Sequence, residues 1–103
     1  MTTLIVLFNL KSTADAAAYE RWAVDTDIAT VSALHNCDGF DLFRCDGTLA
    51  GDSAPYDYVE MISISDLAGF RDETQSETMR SVAAEFREFA DNPVFMLTEQ
   101  VAA

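Results

Sequence analysis

Glu60 stands in Tyr56-Asp57-Tyr58-Val59-Glu60-Met61-Ile62-Ser63-Ile64, a segment otherwise dominated by apolar residues and β formers. Strand alternation puts Tyr58, Glu60 and Ile62 on one side, so the carboxyl group shares a face with apolar neighbours. A carboxyl held out of water favours its neutral form, which raises its pKa and fits it for general acid or base work near neutral pH. The competing role is structural: a Glu at the sheet rim, or one neutralised by Arg21 or Arg44. His35, the only histidine, is a second proton-transfer candidate at a helix-to-strand corner where a pocket mouth could open.

Around these two lies an aromatic inventory. Tyr19, Trp22, Tyr56, Tyr58, Phe70 and Phe86 offer flat apolar walls, with hydroxyl or indole donors, for an aromatic small-molecule substrate. Ordinary core packing competes with that role, most of all for Phe70 and Phe86, whereas Tyr58 and Trp22 carry polar ends that need partners if buried. Asp25, Thr26, Asp27 and Thr30 cluster between two helical stretches, where they either cap the second helix or hydrogen-bond in the pocket. Cys37 and Cys45 have no CxxC spacing, and one His does not complete a zinc set with them, so they read as small apolar fillers and no metal is expected. No phosphate loop, nucleotide-binding glycine pattern or nucleophile elbow is present, which disfavours cofactor-dependent chemistry.

The elements that would position these residues follow from periodicity. Residues 3–10 read as a strand with apolar side chains on both faces. Asp15 and its neighbours cap a helix from Ala16 to Val24; after Thr26-Asp27 a second helix runs from Ile28 to Leu34. Strands follow at Phe40 to Arg44 and Tyr56 to Ile64, joined by a Gly-, Asp- and Pro-punctuated loop. Ser65-Asp66 caps a short helix, and Thr74-Gln75-Ser76-Glu77 has the capping-box pattern that opens a longer one, with Met79, Val82, Ala83, Phe86 and Phe89 as its apolar stripe. Asn92-Pro93 stops that helix, and Val94 to Val101 is the last strand. The order βαββαβ predicts an α+β ferredoxin-like plait, one domain over residues 1–103 with helices on one face of an antiparallel sheet. The apolar residues on the other face need a cover, most economically a second copy, which predicts a homodimer forming a dimeric α+β barrel.

Composition supports a packed chain. Half of its 103 residues are hydrophobic, including one Trp, three Tyr and seven Phe. Eighteen acidic against six basic residues give a formal charge of -12, which argues against nucleic acid and anionic lipid as partners and favours neutral or cationic small molecules, or protein. The N-terminal apolar run lacks a preceding basic residue and a cleavage site, and no stretch is long enough for a membrane span, so a cytoplasmic location is expected.

On Tyr19-Glu20-Arg21-Trp22, Thr26-Asp27 with Thr30 and Leu34, Asp38-Gly39-Phe40, Pro55-Tyr56-Asp57-Tyr58-Val59-Glu60, and Val82-Ala83-Ala84-Glu85-Phe86 through Phe89-Ala90-Asp91, the sequence resembles the RedY-like (HapK) family associated with prodiginine and bisindole biosynthesis. The resemblance spans nearly the whole chain and includes no triad-like catalytic signature. It implies a dimeric α+β barrel and, for the bisindole branch, a metal-independent cyclase that joins a nucleophile to a carbonyl or carboxyl carbon with loss of water. It further implies Glu60 as the strand carboxylate and Trp22, Asp27 and Thr30 as helix-side aromatic and polar positions; His35 departs from the pattern. On this reading Glu60, alone or with His35, moves the proton, while Tyr58 or Asp27 holds the carbonyl oxygen or leaving hydroxyl. The alternatives are a cofactor-free monooxygenase of polycyclic aromatics and a non-catalytic protein that delivers an intermediate to a neighbouring biosynthetic enzyme.

Overall fold

A computed structural model describes Met1–Ala103. Its elements run β1 (Thr2–Leu10), α1 (Ala16–Trp22), a π-helical turn (Ala23–Ile28), α2 (Ala29–Ser32), β2 (Cys37–Arg44), β3 (Tyr58–Ile64), α3 (Leu67–Glu73), α4 (Glu77–Phe89) and β4 (Ala90–Glu99). The strands form one antiparallel sheet in the order β2-β3-β1-β4. This is the expected α+β ferredoxin-like plait, and β1 and β3, which carry apolar residues on both faces, are its interior strands.

On the helix-covered face, Phe8 of β1 and Tyr19 of α1 are fully buried and meet edge to face at 5.5 Å; Phe86 of α4 meets Phe8 at 4.9 Å. Such pairs add about 0.5–1.5 kcal/mol each to the burial of their rings. A second cluster holds Val31, Cys37, Ile62, Ile64, Phe70 and Met79. Cys37 thus packs as the apolar filler expected of it, and both cysteines are free thiols.

The opposite face carries two apolar rows across the sheet. Phe43, Val59, Leu7 and Val94 are register partners in one, and Met61, Ile5 and Met96 in the next, which ends at Asp41 on edge strand β2. No helix lies over them, and Phe43, Met61, Val94 and Met96 are 51%, 39%, 40% and 39% exposed.

Several boundaries differ from the sequence reading. The break expected at Thr26-Asp27 is absent: α1, the π turn and α2 are continuous, because neither residue is a Gly or Pro and a wider turn keeps the backbone bonded. Asp15 caps α1 as expected, accepting from the Ala18 N–H at 3.0 Å. The cap of α4 is Ser76, not Thr74; Ser76 accepts from the Met79 N–H at 3.2 Å, while the Thr74 hydroxyl donates to the Arg71 carbonyl and closes α3. β2 begins at Cys37 and β3 at Tyr58. β4 starts at Ala90 directly from α4 and ends at Glu99. Asn92, at φ 46, accommodates a register shift against β1, and Pro93 is tolerated because β4 is an edge strand.

Candidate functional site

Glu60 occupies the middle of interior strand β3, between Leu42 of β2 and Val6 of β1, with Phe95 of β4 next in the row. Its side chain therefore points from the centre of the sheet into the layer beneath the helices, and it is 4% exposed. Arg44, a neutralising partner considered from sequence, is committed elsewhere: it forms a bidentate pair with Glu20 at 2.8 and 2.6 Å. Glu60 has no ion-pair partner, and its Oε2 is buried without a hydrogen-bond partner in the protein.

Asp27 meets Glu60 in the same cavity, and the π turn is what aims it there. Tyr19, Ala23, Asp27 and Val31 are all buried at intervals of four. Four residues overshoot one α-helical turn by about 40°, so an unbroken α-helix would carry Thr26 and Thr30 toward the sheet ahead of Asp27 and Val31. The wider π turn cancels the overshoot and keeps Asp27 on the Tyr19 face. Asp27 is 6% exposed, and the residue before α2, Ile28, makes no side-chain cap bond, so this carboxyl group does not serve as the helix cap.

The cavity measures about 230 Å³ and eleven of its fifteen lining residues are hydrophobic, which makes it a poor solvent for charge. Phe40, Phe70, Met79, Val82 and Phe86 wall it above Asp27 and Glu60. Burial pushes the Glu60 carboxyl up to about 8, with the neighbouring Asp27 charge adding to the shift, and burial alone lifts Asp27 to about 7. Behind them the fully buried Tyr19 phenol is also pushed up, by burial first and then by Glu60 and Asp27. Its hydroxyl and the Trp22 Nε1 have no hydrogen-bond partner within the protein. Near pH 7 Glu60 keeps its proton while Asp27 is about half ionised, so the pair offers an acid beside a base.

Of the candidates named from sequence, Glu60, Asp27, Phe70 and Phe86 line the cavity. Tyr58 does not: its hydroxyl donates to Glu20 Oε2 at 2.6 Å, and Arg44 followed by Tyr58 holds the Glu20 carboxyl down at about 2. Tyr19 packs behind the cavity, and Trp22 is half-buried against Phe86 and Phe89 at 6.5 and 5.4 Å. Thr30 is half-buried outside the lining, displaced by the π turn. His35 is exposed, and the structure does not bring it to the cavity; its backbone N–H donates to Glu73 Oε2 at 2.6 Å, which fixes the corner away from the helix-sheet layer. Sequence reasoning missed Phe40, Phe95 and Arg87 as lining residues. The α4 stripe was visible, but a core stripe and a cavity wall have the same period. No group of three His, Cys, Asp or Glu side chains is gathered as a metal site would need.

A carboxyl group whose pKa is raised by folding binds its proton more tightly in the native state. Its stabilisation is full below the ordinary values of 4.5 for Glu60 and 3.8 for Asp27, and is lost as pH rises through about 8 and about 7. The urea midpoint is therefore expected to fall across that window, and Glu60→Gln to flatten the fall and raise the midpoint at the alkaline end. A midpoint that rises or stays level over the same range in the unaltered chain would contradict the burial argument.

With this geometry in place, residues 2–101 match the profile of the family described as REDY-like protein HapK. The crystal structure of HapK from Hahella chejuensis is similar with 30% identity and a TM-score of 0.80, over 100% of this chain and 95% of that one. A cofactor-independent oxygenase, SnoaB from Streptomyces nogalater, shares the fold at 16% identity and a TM-score of 0.80, over 99% of this chain and 94% of its own. A dimeric ferredoxin-like protein of unknown function from Thermobifida fusca does so at 19% identity and a TM-score of 0.73, over 96% and 90%. No curated protein matches the sequence. The full-length profile match and the likeness to HapK together make this chain a member of the REDY-like HapK family.

Proposed function

We propose that the chain is a metal- and cofactor-independent cyclase of a flat aromatic, bisindole intermediate, with Glu60 and Asp27 as its acid-base pair. The observation that carries this reading is the pair itself: two carboxyls without an ion-pair partner, in a largely apolar cavity, with pKa values of about 8 and about 7. In the ring closure, an N–H or enol O–H of the substrate attacks the acceptor carbon. Its proton passes to the ionised member of the pair. The protonated member gives its proton to the departing hydroxyl, which leaves as water. Glu60, the member that keeps its proton between about 7 and about 8, supplies the contact to the carbonyl or hydroxyl oxygen, since Tyr58 is occupied by Glu20 and His35 lies outside the cavity. Phe86 and the other apolar walls hold the ring plane and exclude water.

A cofactor-free monooxygenase is the second reading, favoured by the fold shared with an oxygenase of that kind. Incubation with the product of a tryptophan-dimerising oxidase separates the two by mass and oxygen uptake: loss of water for the cyclase, gain of oxygen for the monooxygenase, and binding without change for a carrier. Turnover is expected to follow a bell in pH, rising through about 7 and falling through about 8. Glu60→Gln should lower it by about 10²–10⁴-fold with the fold intact. Full product formation by that variant would remove Glu60 from the mechanism.

We also propose that the working unit is a homodimer closed over the open sheet face, as an apolar surface of this extent calls for a cover and a ferredoxin-like relative in fold is dimeric. Ile5 and Met61 lie at the middle of that face. The chain is expected to sediment at twice its own mass, and Met61→Asp, which would bury two charges against each other across the interface, to sediment at once its mass. An unaltered chain that is monomeric at micromolar concentration would contradict the dimer.

A further inference from the structure

With eighteen acidic and six basic residues the chain repels anions at a distance, so the positions of its few cations are informative. Two of the six, Arg71 and Arg87, border adjoining hollows of about 250 and 230 Å³ on the helix-covered side of the sheet. The hollows share Leu4, Phe70, Thr74 and Phe95, which makes them one trough. The ion pairs of the chain are Met1 with Glu99 and Arg44 with Glu20; neither Arg71 nor Arg87 has a carboxylate partner despite the acidic excess. Arg87 follows Phe86 on α4 and is exposed where Phe86 is buried, so its guanidinium stands where the apolar wall meets water.

A guanidinium at an apolar rim is a planar fork matched to a carboxylate, and such charge-assisted pairs are stronger than neutral ones. The cavity below it is smaller than the roughly 300–1,000 Å³ of common ligand pockets, so a ligand larger than one fused ring system must extend past the rim, over Thr74 and Phe95. From this arrangement we infer that the ligand is an aromatic acid: its ring lies in the cavity over Asp27 and Glu60, and its anionic group is received by Arg87. The inference rests on the reading of the cavity as a pocket for flat aromatics and adds the charge that the substrate carries. It also assigns Arg87 as a specificity-determining residue in a chain whose net charge alone argues against acidic ligands.

Indole-3-propionate and its neutral amide, indole-3-propionamide, are alike in shape and differ in charge. Titrated into ¹⁵N-labelled protein and followed by NMR, the carboxylate is expected to bind at least about fivefold tighter than the amide. In Arg87→Gln with its folded spectrum retained, the two probes are expected to bind equally. Equal affinities in the unaltered chain, or a preference that survives in Arg87→Gln, would overturn the anionic assignment while leaving the aromatic pocket standing. Failure of both probes to bind would overturn the pocket and the anionic assignment together.

Discussion

Two carboxyl groups that no cation neutralises are held out of water beneath the helices, and the loss of hydration sets their protonation state. Where a buried acid is paired with Arg or Lys, attraction offsets desolvation and the group stays ionised. Here Arg44 is taken by Glu20, Arg87 at the cavity lining forms no ion pair with either carboxyl, and the same burial that would cost stability at high pH gives Asp27 and Glu60 pKa values of about 7 and about 8. The geometry of the fold is arranged around that constraint. An interior strand is the only place where Glu60 is shielded on both sides, by Leu42 and Val6, and a π turn is what brings a second carboxyl over it.

The two faces of the sheet carry opposite demands. On the helix side, aromatic packing around Phe8, Tyr19 and Phe86 builds a rigid wall, and the cavity is lined from both core clusters, by Val6 and Phe86 of the first and Val31, Ile62, Phe70 and Met79 of the second. A rigid wall holds the two carboxyl groups in fixed geometry, which loops would not. On the other side the residues are smaller in chemical variety and form plain apolar rows, the kind of surface that a second subunit covers.

Much of this was legible in the sequence and some was not. Apolar β-former runs and period-two alternation located the four strands and put Tyr58, Glu60 and Ile62 on one face, but a sheet rim or an Arg partner stayed open for Glu60 until the strand order placed β3 inside the sheet. The plait followed from element order. The π turn was invisible: Thr26-Asp27 looks like punctuation, and the rotation that turns Asp27 rather than Thr30 inward depends on a backbone wider than the α-helical period assumes. Chemical type misled at His35, because an exposed corner and a pocket mouth share the same local signals. Phe86 and Phe70 pack in the core, as their apolar type favoured, and line the cavity as well, whereas Tyr58, whose hydroxyl suggested a ligand contact, is satisfied by Glu20. Which aromatics face a hollow depends on how closely helices approach the sheet, and no residue pattern encodes that distance.

Everything turns on whether Glu60 keeps its proton at neutral pH. Glutamate labelled with ¹³C at the side-chain carboxyl, with the Glu60 signal assigned by its disappearance in Glu60→Gln, reports this directly through the carboxyl shift as pH is raised. The expected midpoint is about 8. A midpoint near the ordinary glutamate value of about 4.3 would mean a solvated carboxylate and would contradict the account.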